Sequence, residues 1–404
     1  MKFLIISQYY PPEVGAAATR WSEYSQILQD SGQDVTILTE LPNYPSGIIA
    51  DGFPKYWYHE DIRKKNAPRI IRVPVWANPR KTTIQRLGFY VSFMITASLR
   101  ALFLPRYDYI IVSSPPLFVG LIATLIKPFK KGKILLDLRD IWPESAYVLG
   151  EIKSEKMLNF GRFLERSVYS AVDAFLLAVP GFRIYLDKNH SIHLGKKKIN
   201  LMNGVSKSFL DIVKQKQQLG RSEKFTVLFS GNIGLAQDLG TLLDAAQHLA
   251  LENIEFKIIG DGAKRDELMV YAREMKLNNI TFIPSMPRTS LIKEILSAHV
   301  CLVPLIKSPL FLNAIPSKLL EYMAAGRPVI VAIKGEVEDL ILKSRGGTLV
   351  EPGDSNDLAK IILEYKNDPE RGIQEGQAGQ IFINKGLTKE GMMKDVLSAL
   401  GISA

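Results

Sequence analysis

The chain has one cysteine in 404 residues. An internal disulfide framework and a cysteine-cluster metal site are therefore excluded. That cysteine, Cys301, lies in the apolar run VCLVPL and reads as a buried, inert thiol rather than a nucleophile. Histidine is also scarce, with five in all, and no His/Cys cluster has metal-ligand spacing. Neither GxGxxG nor GxxxxGK[ST] occurs, so nicotinamide and P-loop readings lose support. No Asp-x-Asp stands where a metal-held diphosphate would need it. The opening apolar run, Phe3–Ile6, is far short of a signal peptide's core, and two prolines follow. These absences point to the cytoplasm. Leu87–Leu99 carries no charge, but 13 residues fall short of the ~20 that span a bilayer. Flanked by Arg86 and Arg100, it reads as a buried or half-buried helix, or as a helix dipping into a membrane interface.

Acidic excess is missing too. The net charge is +10, and all of it falls in residues 1–205, with 27 basic against 17 acidic side chains. Residues 206–404 balance at 24 and 24. The basic half suits an anionic partner, a membrane surface or a phosphorylated acceptor, and equally a generic basic surface.

What is present is a repeating alternation. Short apolar runs at Lys2–Ser7, Asp34–Thr39, Ile70–Pro74, Tyr109–Ser113, Ile134–Leu138, Ala174–Ala178 and Ile199–Met202 alternate with helical patterns. The second half repeats this at Phe225–Ser230, Ile254–Ile259, Ile280–Ile283, Val300–Pro304, Pro328–Ile333 and Gly347–Val350. Such runs predict parallel sheets covered on both faces. The fold class is α/β, with two doubly wound Rossmann-like domains in tandem. The domains are expected at 1–203 and 204–375. The polar run KQKQQLGRSEK follows the boundary, and a helical segment, 376–404, is expected to pack back toward the first domain.

Ligands of open α/β sheets sit beyond the carboxyl ends of the strands, and the informative motifs fall there. QYYPPEVGAAATR follows the first strand. Gly15 there either admits a phosphate to the oncoming helix or simply packs the loop tightly. DLRDIWPE follows the strand ending at Leu138. Arg139 and Asp140 are either a structural ion pair or an acceptor site, with Asp140 bonding or deprotonating a hydroxyl and Trp142 offering a face to a sugar. In FSGNIGLAQDL, Gly231 and Gly234 flank Asn232, a turn whose amides can approach phosphate oxygens. In IIGDGAKRDEL, Gly260 precedes Lys264 and Arg265, cations at a helix start that oppose its dipole unless a phosphate lies near.

The strongest segment is NAIPSKLLEYMAAGRPVI, Asn313–Ile330. Helical spacing puts Lys318 and Glu321 on one turn. Pro316, Ser317 and the free amides there suit a diphosphate, with Lys318 adding charge. Glu321 can accept from both hydroxyls of a ribose.

At this segment the sequence resembles glycosyltransferase family 4, the retaining enzymes of the two-domain GT-B fold, and the resemblance runs along the whole chain. It is closest to bacterial transferases that build O-antigen, capsule or exopolysaccharide, lipopolysaccharide included, on a polyprenyl-diphosphate carrier. The resemblance implies that Glu321 holds the donor ribose, while Ser317, Lys318 and the amides near Pro316 take the diphosphate. Gly15 lets the first loop approach the β-phosphate, Asn232 lies on the diphosphate side, and Pro284 borders the base. Arg139 and Asp140 face the acceptor and the anomeric centre, so Asp140, Arg139 and Lys318 are the candidate catalytic residues. A UDP-sugar is the expected donor. No metal or other cofactor is expected, and nucleic acid is not an expected partner. The acceptor is expected to be a glycan or lipid-linked sugar. A place on the cytoplasmic face of the inner membrane follows.

The chain departs from the family at three points. Many members have a glutamate separated by seven residues from the one matching Glu321, where this chain has Asn313. Many also carry arginine and lysine where Asn232 and Gln237 stand, so diphosphate charge must be met by Lys318, or by Lys264 or Arg265. Arg139 stands where a family histidine aligns. The alternatives are a soluble transferase for a small acceptor and a non-catalytic nucleotide-sugar-binding scaffold.

Overall fold

The computed structural model describes every residue except 14, 45, 63–64, 149–151, 153, 190–194, 217–219, 221, 309–310 and 404. Residues 217–219 and 221 of the polar connecting run therefore lie outside the described residues. The chain divides into two compact units: Met1–Asn203 with Met392–Ala404, and Gly204–Gly391.

Among the described residues the first unit holds eight strands: β1 (Lys2–Ile6), β2 (Asp34–Glu40), β3 (His59–Glu60), β4 (Arg69–Val73), β5 (Tyr109–Ser114), β6 (Lys133–Leu138), β7 (Ala174–Leu177) and β8 (Lys197–Asn200). Their order is β3-β4-β2-β1-β5-β6-β7-β8. All pair in parallel except β3 with β4. Ile5 of β1 sits between Ile37 and Ile111 in register, so aliphatic side chains fill both faces of the central strands, as double-sided burial demands. The antiparallel strand β3 has no apolar period to announce it. It is a two-residue edge held by the forked contact of Arg69 with Glu60, at 2.6 and 2.7 Å.

The second unit holds β9 (Phe225–Ser230), β10 (Ile254–Ile259), β11 (Ile280–Ile283), β12 (Val300–Pro304), β13 (Val329–Ala332) and β14 (Gly347–Leu349). Their order is β11-β10-β9-β12-β13-β14, all parallel. Cys301 is fully buried on β12, and burial pushes its thiol pKa up.

Two helices differ from expectation. The uncharged run Leu87–Leu99 is the middle of a longer helix, Thr83–Phe103, because Thr82 and Gln85 form a capping box that starts it earlier. The C-terminal helical segment 376–404, expected to pack back toward the first domain, is divided between the units. Helix Pro369–Gly386 packs on helix Ser317–Ala324 within the second unit, whereas Met392–Ala404 belongs to the first. There Tyr109 Oη donates to Leu400 O and Lys197 Nζ to Ala399 O.

Candidate functional site

The turns after β9 and β10 are sewn together backbone to backbone. Gly231 N donates to Ile259 O, Ile233 N to Asp261 O and Lys264 N to Ile233 O. Gly260, at φ +144°, lies so close to the first turn that a Cβ on it would sit 1.9 Å from Gly231 O. These glycines are there for close approach at the carboxyl ends of the strands. Gly234 N is held by Gln237 Oε1 at 3.2 Å, and Asn232 Nδ2 lies against Gly234.

Helix Ser317–Ala324 begins at Pro316 with no side-chain cap, leaving amides free at its positive end. Tyr322, fully buried, fastens the helix to the end of β9. Its hydroxyl accepts from Ser230 N at 2.7 Å and bonds Ser230 Oγ at 2.9 Å. One turn earlier, Lys318 Nζ lies 3.9 Å from the centre of the Phe229 ring and close enough to touch any side chain at Gly231. Among the described residues no ion pair forms at Lys318. Desolvation brings its amine down to about 8.

The other two candidate cations are already matched by carboxylates. Lys264 pairs with Glu267 at 2.5 Å and Arg265 with Asp261 at 3.6 Å. Asp261 also accepts from Ser285 N at 3.0 Å, beside Pro284, and the Ser285 bonds hold its carboxyl below the usual range. Of the cations proposed for the diphosphate, Lys318 alone keeps its charge unpartnered among the described residues. Glu321 is engaged by Arg288 Nη2 at 2.8 Å. Arg288 was not singled out from the sequence, although its signal was present: a cation at the first residue of a helix, Arg288–Ser297, opposing the dipole. Asn313 lies exposed on the loop before Pro316.

In the first unit Gly15 precedes helix Ala16–Asp30, and a Cβ there would meet nothing within 4 Å. Tight packing thus does not account for this glycine. Arg139 and Asp140 follow β6 but are not paired with each other. Asp140 accepts from Ile141 N at 2.8 Å and Ser145 Oγ at 2.9 Å, so it organises the turn after the strand. The Arg139 side chain makes no hydrogen bond or ion pair among the described residues. Burial lowers its pKa, with Arg20 adding to the effect against Asp137 and Asp140. Trp142 packs against Ala146, Ile152 and Leu158, so part of its surface serves the fold. Asp137 is structural, fully buried and bonded by Arg20, Trp21 Nε1 and Ser113 Oγ.

A buried acidic cluster beyond β1 and β2 was not visible in the sequence. Glu40 accepts from Gln8 Nε2 and Asn43 Nδ2, both at 2.9 Å. Glu13 accepts from the amides of Asn43 and Tyr44. Burial raises both carboxyl pKa values, that of Glu40 strongly and with Glu13 adding to it. Among the described residues no three His, Cys, Asp or Glu side chains come together as metal ligands.

Comparison with known proteins adds independent information. A protein of Escherichia coli (strain K12), WcaI, named as a candidate glycosyl transferase of colanic acid biosynthesis, is 24% identical over 355 residues, 84% of each chain. The sucrose-phosphate synthase of Thermosynechococcus elongatus superposes with a TM-score of 0.74 at 18% identity, over 99% of this chain and 98% of that one. The Anabaena protein HepE, solved with UDP and glucose, gives 0.64 at 16% identity over 99% of both chains. Residues 211–380, most of the second unit, match the family described as Glycosyl transferases group 1, and the two parallel-sheet Rossmann-like domains have the fold of GT-B glycosyltransferases.

Proposed function

We propose that this protein transfers a sugar, with retention of anomeric configuration, from a UDP-sugar to a glycan acceptor carried on polyprenyl diphosphate, in the assembly of a cell-surface polysaccharide. The observation that carries the reading is Lys318. An unpartnered cation among the described residues is held over Phe229 and against Gly231, one residue into a helix whose N-terminus has no side-chain cap. Such an arrangement suits a diphosphate and stabilises the charge that develops on it as a leaving group. Glu321, on the same turn, is assigned to the ribose hydroxyls, and Pro284 with Ser285 to the edge of the base. Arg139 is assigned to the acceptor side, where a guanidinium after β6 with no hydrogen bond or ion pair among the described residues suits an anionic group. Asp140 has a positioning role there, because both of its oxygens already serve the turn. The matches to WcaI and to HepE with UDP support this reading.

UDP is expected to raise the melting temperature of the parent protein. Lys318→Ala and Glu321→Ala should each remove most of that rise, and variants that respond like the parent would overturn the assignment. A panel of UDP- and GDP-sugars tested for slow donor hydrolysis identifies the donor without knowledge of the acceptor. No hydrolysis of any of them would favour the non-catalytic scaffold.

A further inference from the structure

Helix Thr83–Phe103 is apolar on two opposite sides. Phe89, Phe93, Ala97 and Ala101, at four-residue steps, are fully buried against the first unit's core. On the other side Ile84, Leu87, Ile95, Leu99 and Phe103 are exposed, Ile84 by 75% and Phe103 by 81%. A helix apolar all round belongs inside a protein or in a lipid environment, and here one side has neither. Helix Leu117–Ile126 packs beside it and extends the uncovered surface through Leu125 and Phe129. Arg100 carries the surface to a second feature: its guanidinium lies 4.3 Å from the ring centre of Tyr58, within the exposed triplet Tyr56, Trp57, Tyr58.

The segments that build this surface are one-sided in charge along the sequence, although Arg69, Arg72 and Lys127 pair with Glu60, Asp61 and Asp173. Residues 62–107 hold ten basic side chains and no acidic one. Residues 109–136 add four more and again no acid. The single intervening carboxylate, Asp108, already accepts from Lys2 N at 2.7 Å. Just past the end of the helix, Arg106, Lys130, Lys131, Lys133 and Phe129, together with Asp108, line a cavity of ≈ 580 Å³. Lys130 Nζ ties that cavity to the helix by donating to Leu102 O and Leu104 O.

An exposed apolar stripe, an aromatic group at its border and a predominantly basic surround match the chemistry of one surface, an anionic bilayer. We infer that the first unit docks on anionic lipid through this face. Helix Thr83–Phe103 then lies along the interface, and lipid phosphates enter the basic cavity beside Phe129. This goes beyond the donor-site reading and uses none of its residues. Among the described residues no helix is long and apolar enough to cross a membrane, so the contact is one of lying on the surface.

Sedimentation with vesicles tests it. The protein should pellet with equimolar phosphatidylcholine and phosphatidylglycerol at low salt, release as salt rises, and stay in solution with phosphatidylcholine alone. The double variant Leu99→Glu, Phe103→Glu should lose about tenfold or more in partitioning, and Arg106→Ala with Lys131→Ala should weaken it further. Inorganic phosphate at the concentration of lipid phosphate should not compete. Both variants should keep the UDP-induced rise in melting temperature, which shows that they fold and separates this test from that of the donor site. Failure to pellet with anionic vesicles at low salt, or equal pelleting of parent and double variant, overturns the inference. So does a parent dimer in equilibrium sedimentation that the double variant dissociates, because a second copy would then cover the face.

Discussion

Lys318 shows how much one residue's surroundings decide. A lysine amine ordinarily titrates near 10.4, but here desolvation brings it to about 8, with no carboxylate among the described residues to oppose the effect. Below that pH the site presents a cation to a diphosphate. Above it, the amine must take up a proton before it can do so. UDP affinity should therefore fall as pH rises through about 8, steepening toward tenfold per pH unit, the slope of one linked proton. Lys318→Arg, whose guanidinium stays protonated, should flatten that dependence. Calorimetric titration of both proteins between about pH 7 and 9 measures the slopes, and equal slopes would place the titrating group elsewhere.

Among elements, the turns after β9 and β10 close the carboxyl end of the second sheet, where the donor is proposed to bind. Gly260 is fixed there by both its φ and its neighbour. The backbone at +144° is one that side-chain-bearing residues avoid, and the carbonyl of Gly231 occupies the place of a Cβ. Gly260→Ala should cost about 1–3 kcal/mol from the backbone alone and push the two turns apart, abolishing the UDP-induced stabilisation. Gly240→Ala is the matched control. That glycine lies in helix Leu239–His248 with nothing within 4 Å of an added Cβ, so alanine there should be neutral or stabilise by about 0.5–1 kcal/mol. Thermal unfolding with and without UDP distinguishes the two outcomes.

For the whole molecule, the C-terminus matters more than its sequence position suggests. Met392, Met393, Val396, Leu397 and Ile402 are buried, and residues Met392–Ala404 are part of the first unit. They also accept hydrogen bonds from Tyr109 and Lys197 and lie against Tyr24 through Met392. Truncation after Gly391 should destabilise the first unit, since each of these apolar side chains contributes about 1.5–3 kcal/mol when fully buried. Protection from proteolysis should drop in residues 1–203 while the second unit keeps its response to UDP. Unchanged protection in 1–203 would show that the tail contributes little to that unit.

Much of this architecture was legible in the residues. Thirteen of the fourteen strands among the described residues overlap short apolar runs, because double-sided burial makes a central strand apolar on both faces. The exception, β3, forms from polar residues on an edge, where burial imposes no pattern. Lys318 and Glu321 were legible as a pair because helical spacing alone puts them on one turn. Even the pairing of Lys264 with Glu267 and Arg265 with Asp261 lies at helical spacing. What no spacing could reveal is that Arg288 meets Glu321 across 33 residues of sequence, that Tyr322 bonds Ser230 across 92, or that Glu13 and Glu40 are buried together. The sequence by itself determined where strands, helices and tight turns fall, since these depend on local period and backbone freedom. Only the tertiary structure decided which cation, among the described residues, is left without a carboxylate and which apolar helix face is left without a cover, because both depend on neighbours that folding brings from far along the chain.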